Sequence, residues 1–152
     1  MEIEFEFSFE PVLEQELVVF ESKYNLILPS DYKRFIKKYN GGKSVLRRFQ
    51  TLDEVVTSSI MLFFPFDVRE EHNIEGFYQK YNLTNIIPSN FLPIGRDPMN
   101  NIICLAVSGE DIGRVYYCDL THLDEDKGLI KELVRLTALS FTEFIQSLYK
   151  TE

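Results

Sequence analysis

The sequence predicts an α+β domain: a mainly antiparallel sheet with helices packed against it. Three observations carry that prediction. Ile3, Phe5, Phe7 and Phe9 alternate with Glu4, Glu6 and Ser8, the period of two expected of a strand with one wet face. Residues 28–42 spell out one amphipathic helix with its start and stop written in. From residue 91 the pattern turns to short apolar runs separated by turn-forming residues. The 152 residues, 45% apolar and 14% aromatic, suit a single domain spanning 1–152. A domain of this size buries roughly 70% of its unfolded surface, enough for a core without staples.

The elements follow in order. After the strand at 3–9, Pro11 opens a helix with Leu13, Leu17, Phe20 and Tyr24 as its inward stripe and Asn25 at its end. Leu28 precedes a proline and is extended, so the next helix starts at Pro29. Asp31 falls in its first turn, facing the orphan N–H groups and the positive end of the dipole. Tyr32, Phe35, Ile36 and Tyr39 form the apolar stripe, and Lys33, Arg34, Lys37 and Lys38 fill the other face. Asn40 and Gly41 suit the left-handed conformation that ends a helix, and Gly42 lets the chain turn away. The short link between the two helices predicts that they pack together.

Residues 45–49 suit a short strand. Residues 51–57 stay open, because Leu52, Val55 and Val56 have helical spacing while the β-branched content argues against a helix. The dense apolar run at 60–66 reads as a central strand, with Pro65 near its end because it cannot donate to a ladder. Residues 73–82 read as a helix facing inward with Ile74, Phe77, Tyr78 and Tyr81, although Gly76 costs it about 1 kcal/mol relative to alanine. Lys-Tyr-Asn occurs at 23–25, 38–40 and 80–82, each time read as a buried tyrosine followed by an asparagine cap. Residues 91–95 are extended, 96–101 turn, and 102–107 with 114–120 form a hairpin across the loop 108–113. An acidic loop at 121–127 follows. Ser140 caps the last helix, Glu143 completes a capping box, and Phe141, Phe144, Ile145 and Leu148 give its stripe. Cys104 and Cys118 fall in the hairpin strands as small core residues, read as free thiols with a disulfide as the alternative.

The Leu-Pro pair, the acid and tyrosine, and the closing Asn-Gly-Gly at 28–42 resemble the signature of the SUKH superfamily. Leu92-Pro93-Ile94-Gly95-Arg96-Asp97, the hairpin with Gly113 before an aromatic strand, and the terminal Ser140-Phe141 with Phe144 resemble its further motifs. The likeness covers most of the chain. The superfamily contains bacterial immunity proteins against polymorphic toxins and fungal cell-wall regulators of the Smi/Knr type. One departure is Pro98-Met99-Asn100-Asn101, where members commonly have a glycine-rich turn. Leu28, Pro29, Tyr32, Asn40, Gly41 and Gly42 are read as family-motif scaffold, each having a sufficient task in starting, burying or ending one helix.

Charge is segregated along the chain, whose net charge is −8. Residues 1–22 hold seven acids and no base, 33–48 seven bases and no acid, and 110–126 six acids against Arg114. Such a balance argues against nucleic acid as the partner, because phosphate binding rests on lysine and arginine. The bases on the second helix are explained by a solvated face, and its aromatics are needed in the core rather than for stacking. Neither His72 nor His122 stands in metal-ligand spacing, and the acidic loop lacks the glycine and terminal glutamate of a calcium loop. No nucleophile elbow, phosphate loop or dinucleotide fingerprint is present. No catalytic residue, metal or cofactor is therefore expected. Met1-Glu2-Ile3-Glu4 lacks the basic region of a signal peptide, and the apolar run at 60–66 is too short for a bilayer, so a cytoplasmic protein with no membrane role is expected.

Two functions of different class remain. The resemblance implies an immunity protein that neutralises a cognate toxin, often a nuclease, by protein–protein contact. An acidic surface suits a basic nuclease domain, which it would steer and cover. Charge and loop position select Glu70, Glu71, Asp97, Glu110, Asp111, Asp124 and Asp126 as partner-binding residues. The alternative is a non-catalytic cytosolic module that binds a cellular protein or peptide.

Overall fold

The computed structural model describes residues 2–67, 69–124 and 127–150. Within them the order is β1 (Phe5–Ser8), α1 (Glu14–Tyr24), α2 (Ser30–Tyr39), β2 (Gly42–Ser44), β3 (Arg48–Gln50), β4 (Thr57–Ser59) and β5 (Leu62–Phe63). There follow α3 (Ile74–Phe77), which runs into a π turn (Tyr78–Asn82), β6 (Phe91–Arg96), β7 (Ile102–Ala106), β8 (Val115–Cys118), β9 (Val134–Ala138) and α4 (Phe141–Ser147). Seven strands form one antiparallel sheet in the order β1-β2-β5-β6-β7-β8-β9, and β3 pairs with β4 in a separate hairpin. The fold is α+β, as the sequence predicts.

The segment at 28–42 folds as read. Pro29 sits at the N-cap of α2, and Asn40 ends it in the left-handed conformation at φ 36°. Gly41 follows at φ 77°, where a Cβ would stand 2.5 Å from the Phe63 carbonyl oxygen, so only glycine fits. Asp31 does more than meet the dipole: its Oδ2 accepts from the Thr142 N–H and hydroxyl, tying the first turns of α2 and α4 together. Tyr32, Phe35 and Ile36 are buried. Phe35 packs at 5.2 Å from Phe63 and 4.8 Å from Phe141, so α2, α4 and β5 meet in one aromatic cluster. Each such pair adds about 0.5–1.5 kcal/mol beyond its buried area. Phe64, next along the chain, takes the opposite face and stacks at 4.2 Å on Phe77 of α3.

Helix α1 is tied to the start of α2 by Glu21, which accepts from the Leu28 N–H at 2.8 Å and pairs with Lys33 at 3.0 Å. Asn25 ends α1 in the left-handed region as read. Leu13, however, is 58% exposed at the N-cap, and Val12 fills the inward position instead. Phe7 is also exposed, because a bulge between Phe5 and Phe7 breaks the alternation and turns the Ser8 hydroxyl inward to the Tyr39 and Gly41 carbonyls. The third Lys-Tyr-Asn departs from the other two. Asn82 is buried in the π turn and donates to the Pro88 and Phe91 carbonyls, while Asn85 takes the left-handed turn.

Of the run at 60–66 only Leu62 and Phe63 form a ladder, although all of it but Met61 and Phe66 is buried. Residues 51–57 form no helix; Thr57 begins β4 and 51–56 are irregular. They make the turn of the β3–β4 hairpin, held to β9 by the Leu52 N–H bonded to the Leu136 carbonyl and by Arg135 on Asp53 at 2.8 Å. Strand β9 itself was not anticipated. The Ser140 hydroxyl accepts from the Glu143 N–H, capping α4. Cys104 and Cys118 are buried free thiols on neighbouring strands, their sulfurs 3.8 Å apart.

Candidate functional site

The residues selected as partner-binding differ in their surroundings. Asp97 is a correction: it is 2% exposed and holds the core of the turn after β6. Its carboxylate accepts from the Ser58 and Tyr117 hydroxyls, from the Met99 and Asn101 N–H groups and from the Asn101 side chain. Asn101 in turn accepts from the Leu120 and Thr121 N–H groups and the Thr121 hydroxyl, anchoring the start of the acidic loop. Burial, and then the Asp97 carboxylate, push the Tyr117 hydroxyl far above its ordinary value, so it stays protonated and donates. Asp97 is thus a positioning group and not an exposed contact.

Glu110 and Asp124 are exposed, as is Glu71, while Glu70 and Asp111 are half-buried. Asp111 accepts from the Tyr116 hydroxyl at 2.9 Å. Asp126 lies outside the described residues. Asp119 accepts from the Thr121 and His122 N–H groups and pairs with the His122 ring, an internal arrangement of the loop. Among the described residues no group of three or more histidine, cysteine or acidic side chains could hold a metal ion. No helix among them is long and apolar enough to cross a membrane.

The other two charge blocks find each other. Glu2 pairs with Lys38, Glu6 with Lys43 and Arg47, Glu14 with Lys37, and Glu21 with Lys33. Exposed pairs of this kind contribute little to stability. Their larger effect is on the field: the basic face of α2 is covered by the acidic N-terminal block. What the sequence shows as a positive stripe is largely neutralised in the fold.

A groove of about 790 Å³ opens between α1, the chain at Glu10 and Pro11, and residues 66–75. Phe20 and Phe66 lie at its floor, ring to ring at 5.0 Å. Its two walls are joined by Asn40. The Asn40 amide donates to the Glu10 carbonyl at 2.7 Å, and its oxygen accepts from the Phe66 N–H at 2.8 Å. On the rim, Arg69 holds Asp67 at 2.8 Å and Lys23 holds Glu75 at 2.7 Å. Burial acts to raise the pKa of Glu75, but Lys23 and the Tyr24 hydroxyl outweigh it and keep the carboxyl below its ordinary range.

A family model described as SMI1 / KNR4 family (SUKH-1) matches residues 11–147. The chain belongs to this family. It is similar to the SPbeta prophage-derived uncharacterized protein YokK of Bacillus subtilis (strain 168), at 32% identity over 141 residues. That match covers 80% of the chain and 66% of the relative. In this SUKH-1 domain the recognised motif therefore does two things. Most of it builds α2, and its asparagine fixes the width of a groove. Sequence reading assigned Asn40 to the scaffold and missed the groove, whose walls come from three separated segments. The one available signal was the asparagine itself: a left-handed cap needs only its backbone, which leaves the amide for other work.

Proposed function

We propose that this SUKH-1 domain is an immunity protein that binds a cognate toxin and neutralises it by covering it, without catalysis or cofactor. A basic nuclease domain is the toxin its surface suits. Family membership supports the reading, since the superfamily includes toxin-immunity proteins. The observation that carries it is the charge arrangement. Five of the seven bases at 33–48 pair with N-terminal acids, whereas Glu71 and Glu110 are exposed acids of the loops. In a chain of net charge −8, exposed acids steer a basic partner and speed encounter.

The test is co-expression with the C-terminal domain of a toxin encoded beside this gene. Protection of the cells together with a purifiable complex is expected. Equal killing with and without this protein, and no complex, would end the reading. The groove favours a second reading, a cytosolic module that binds a segment of a cellular protein. In that case a complex forms with a protein other than a toxin, and co-expression confers no protection.

A further inference from the structure

We propose that the groove between α1 and residues 66–75 seats an extended basic segment of the partner protein. One aromatic or large apolar side chain enters the groove, and flanking lysines or arginines lie along its rim. The inference takes from the proposed function only that the partner is a protein with such a segment.

The floor is apolar and already open. Phe20 and Phe66 meet edge to face at its base, and Val19 stands 65% exposed beside them. A single exposed valine is ordinary, but one that extends an aromatic floor into solvent makes a continuous apolar surface. The volume of about 790 Å³ has room for a large side chain with its flanking backbone. No ordering of the walls is needed on binding, because Asn40 already fixes their separation through the Glu10 carbonyl and the Phe66 amide.

The charge on the rim selects the occupant. Asp67 and Glu75 are each held by a base at under 3 Å, and those bases, Arg69 and Lys23, are thereby neutralised. Glu10 reaches Arg69 only at 3.9 Å and is largely exposed, and Glu16, one turn before Phe20, is exposed as well. Four acids against two bases leave the groove two charges negative. A segment bearing lysine or arginine gains here, and an acidic one meets repulsion.

The test uses the isotopically labelled chain and three synthetic twelve-residue peptides, followed by amide chemical shifts. One peptide carries phenylalanine flanked by lysine and arginine, one replaces the phenylalanine with alanine, and one replaces the bases with glutamate. The first is expected to give saturable shifts at Gln15, Val19, Lys23 and Glu75. The alanine peptide should bind about tenfold or more weakly, and the glutamate peptide not at all. Glu10→Lys with Glu16→Lys should reverse the charge preference. Val19→Ser, at an exposed site, should weaken the first peptide without moving the melting temperature. Absence of saturable shifts with every peptide overturns the proposal. So do shifts confined to residues 110–124, or an unchanged affinity in the reversed variant. No toxin is present in this experiment, so it fails independently of the proposed function. Peptide binding without toxin protection leaves the groove standing alone, and protection without peptide binding removes the groove alone.

Discussion

Asp97 receives five hydrogen bonds from side chains and backbone while only 2% exposed, and those bonds offset the cost of burying its charge. Asp97→Ala would leave the Tyr117 hydroxyl and two backbone N–H groups without an acceptor. A loss of about 3 kcal/mol or more is expected in urea unfolding, from unsatisfied buried donors at about 1–3 kcal/mol each. Asp97→Asn keeps one acceptor oxygen for the Met99 and Asn101 N–H groups and should cost less. A contact residue on the surface would leave the urea midpoint where it is. The sequence could not separate the two roles, because an acid after Arg96 in a polar turn looks the same whether it faces solvent or the core. What distinguishes them is Tyr117, 20 residues away and invisible to local pattern.

The β3–β4 hairpin is the element whose stability should depend most plainly on acid pH. Asp53 in its turn accepts first from the Thr51 hydroxyl and then from the Val55 N–H, and against some burial it also meets Arg135 of β9. Together these lower its pKa from 3.8 to about 2. An unfolded chain takes up this proton first, so the contribution is whole above pH 3.8 and is lost as pH falls through about 2. The stability difference between the native chain and Asp53→Asn is therefore expected to be constant above roughly pH 4 and to shrink below it, as chemical denaturation at stepped pH would read. Elements with local signals were legible: α2 and α4 by their caps and stripes, the β7–β8 hairpin by its turn. Those set by tertiary pairing were not. Strand β9 has little local punctuation and exists because β8 and the hairpin turn flank it. The bulge in β1 is likewise a decision of its partner, β2.

Across the whole molecule, charge segregated in sequence is largely recombined in space. Ion pairs between residues 2–21 and 33–47 take up five of the seven bases of the basic block. If the proposed toxin is the partner, Glu110→Lys with Asp124→Lys should slow association with it chiefly at low salt, the difference fading as the Debye length drops below about 10 Å. Stopped-flow rates at several salt concentrations would read it, and an unchanged low-salt rate would remove those two residues from the contact. Glu71, Glu110 and Asp124 are exposed, and exposed loops are polar for a reason readable in sequence. The groove was not readable, because its walls at Glu10 and Phe66 lie 30 and 26 residues from Asn40, on either side of it along the chain. That tie has a further consequence. Asn40 grips only main-chain atoms of Glu10 and Phe66, so it is indifferent to which side chains those positions or their neighbours carry. Every rim residue could be exchanged while the spacing of the walls stayed the same. A scaffold wired in this way separates shape from specificity, and Asn40 would be the one position to leave untouched when re-engineering it for a different partner.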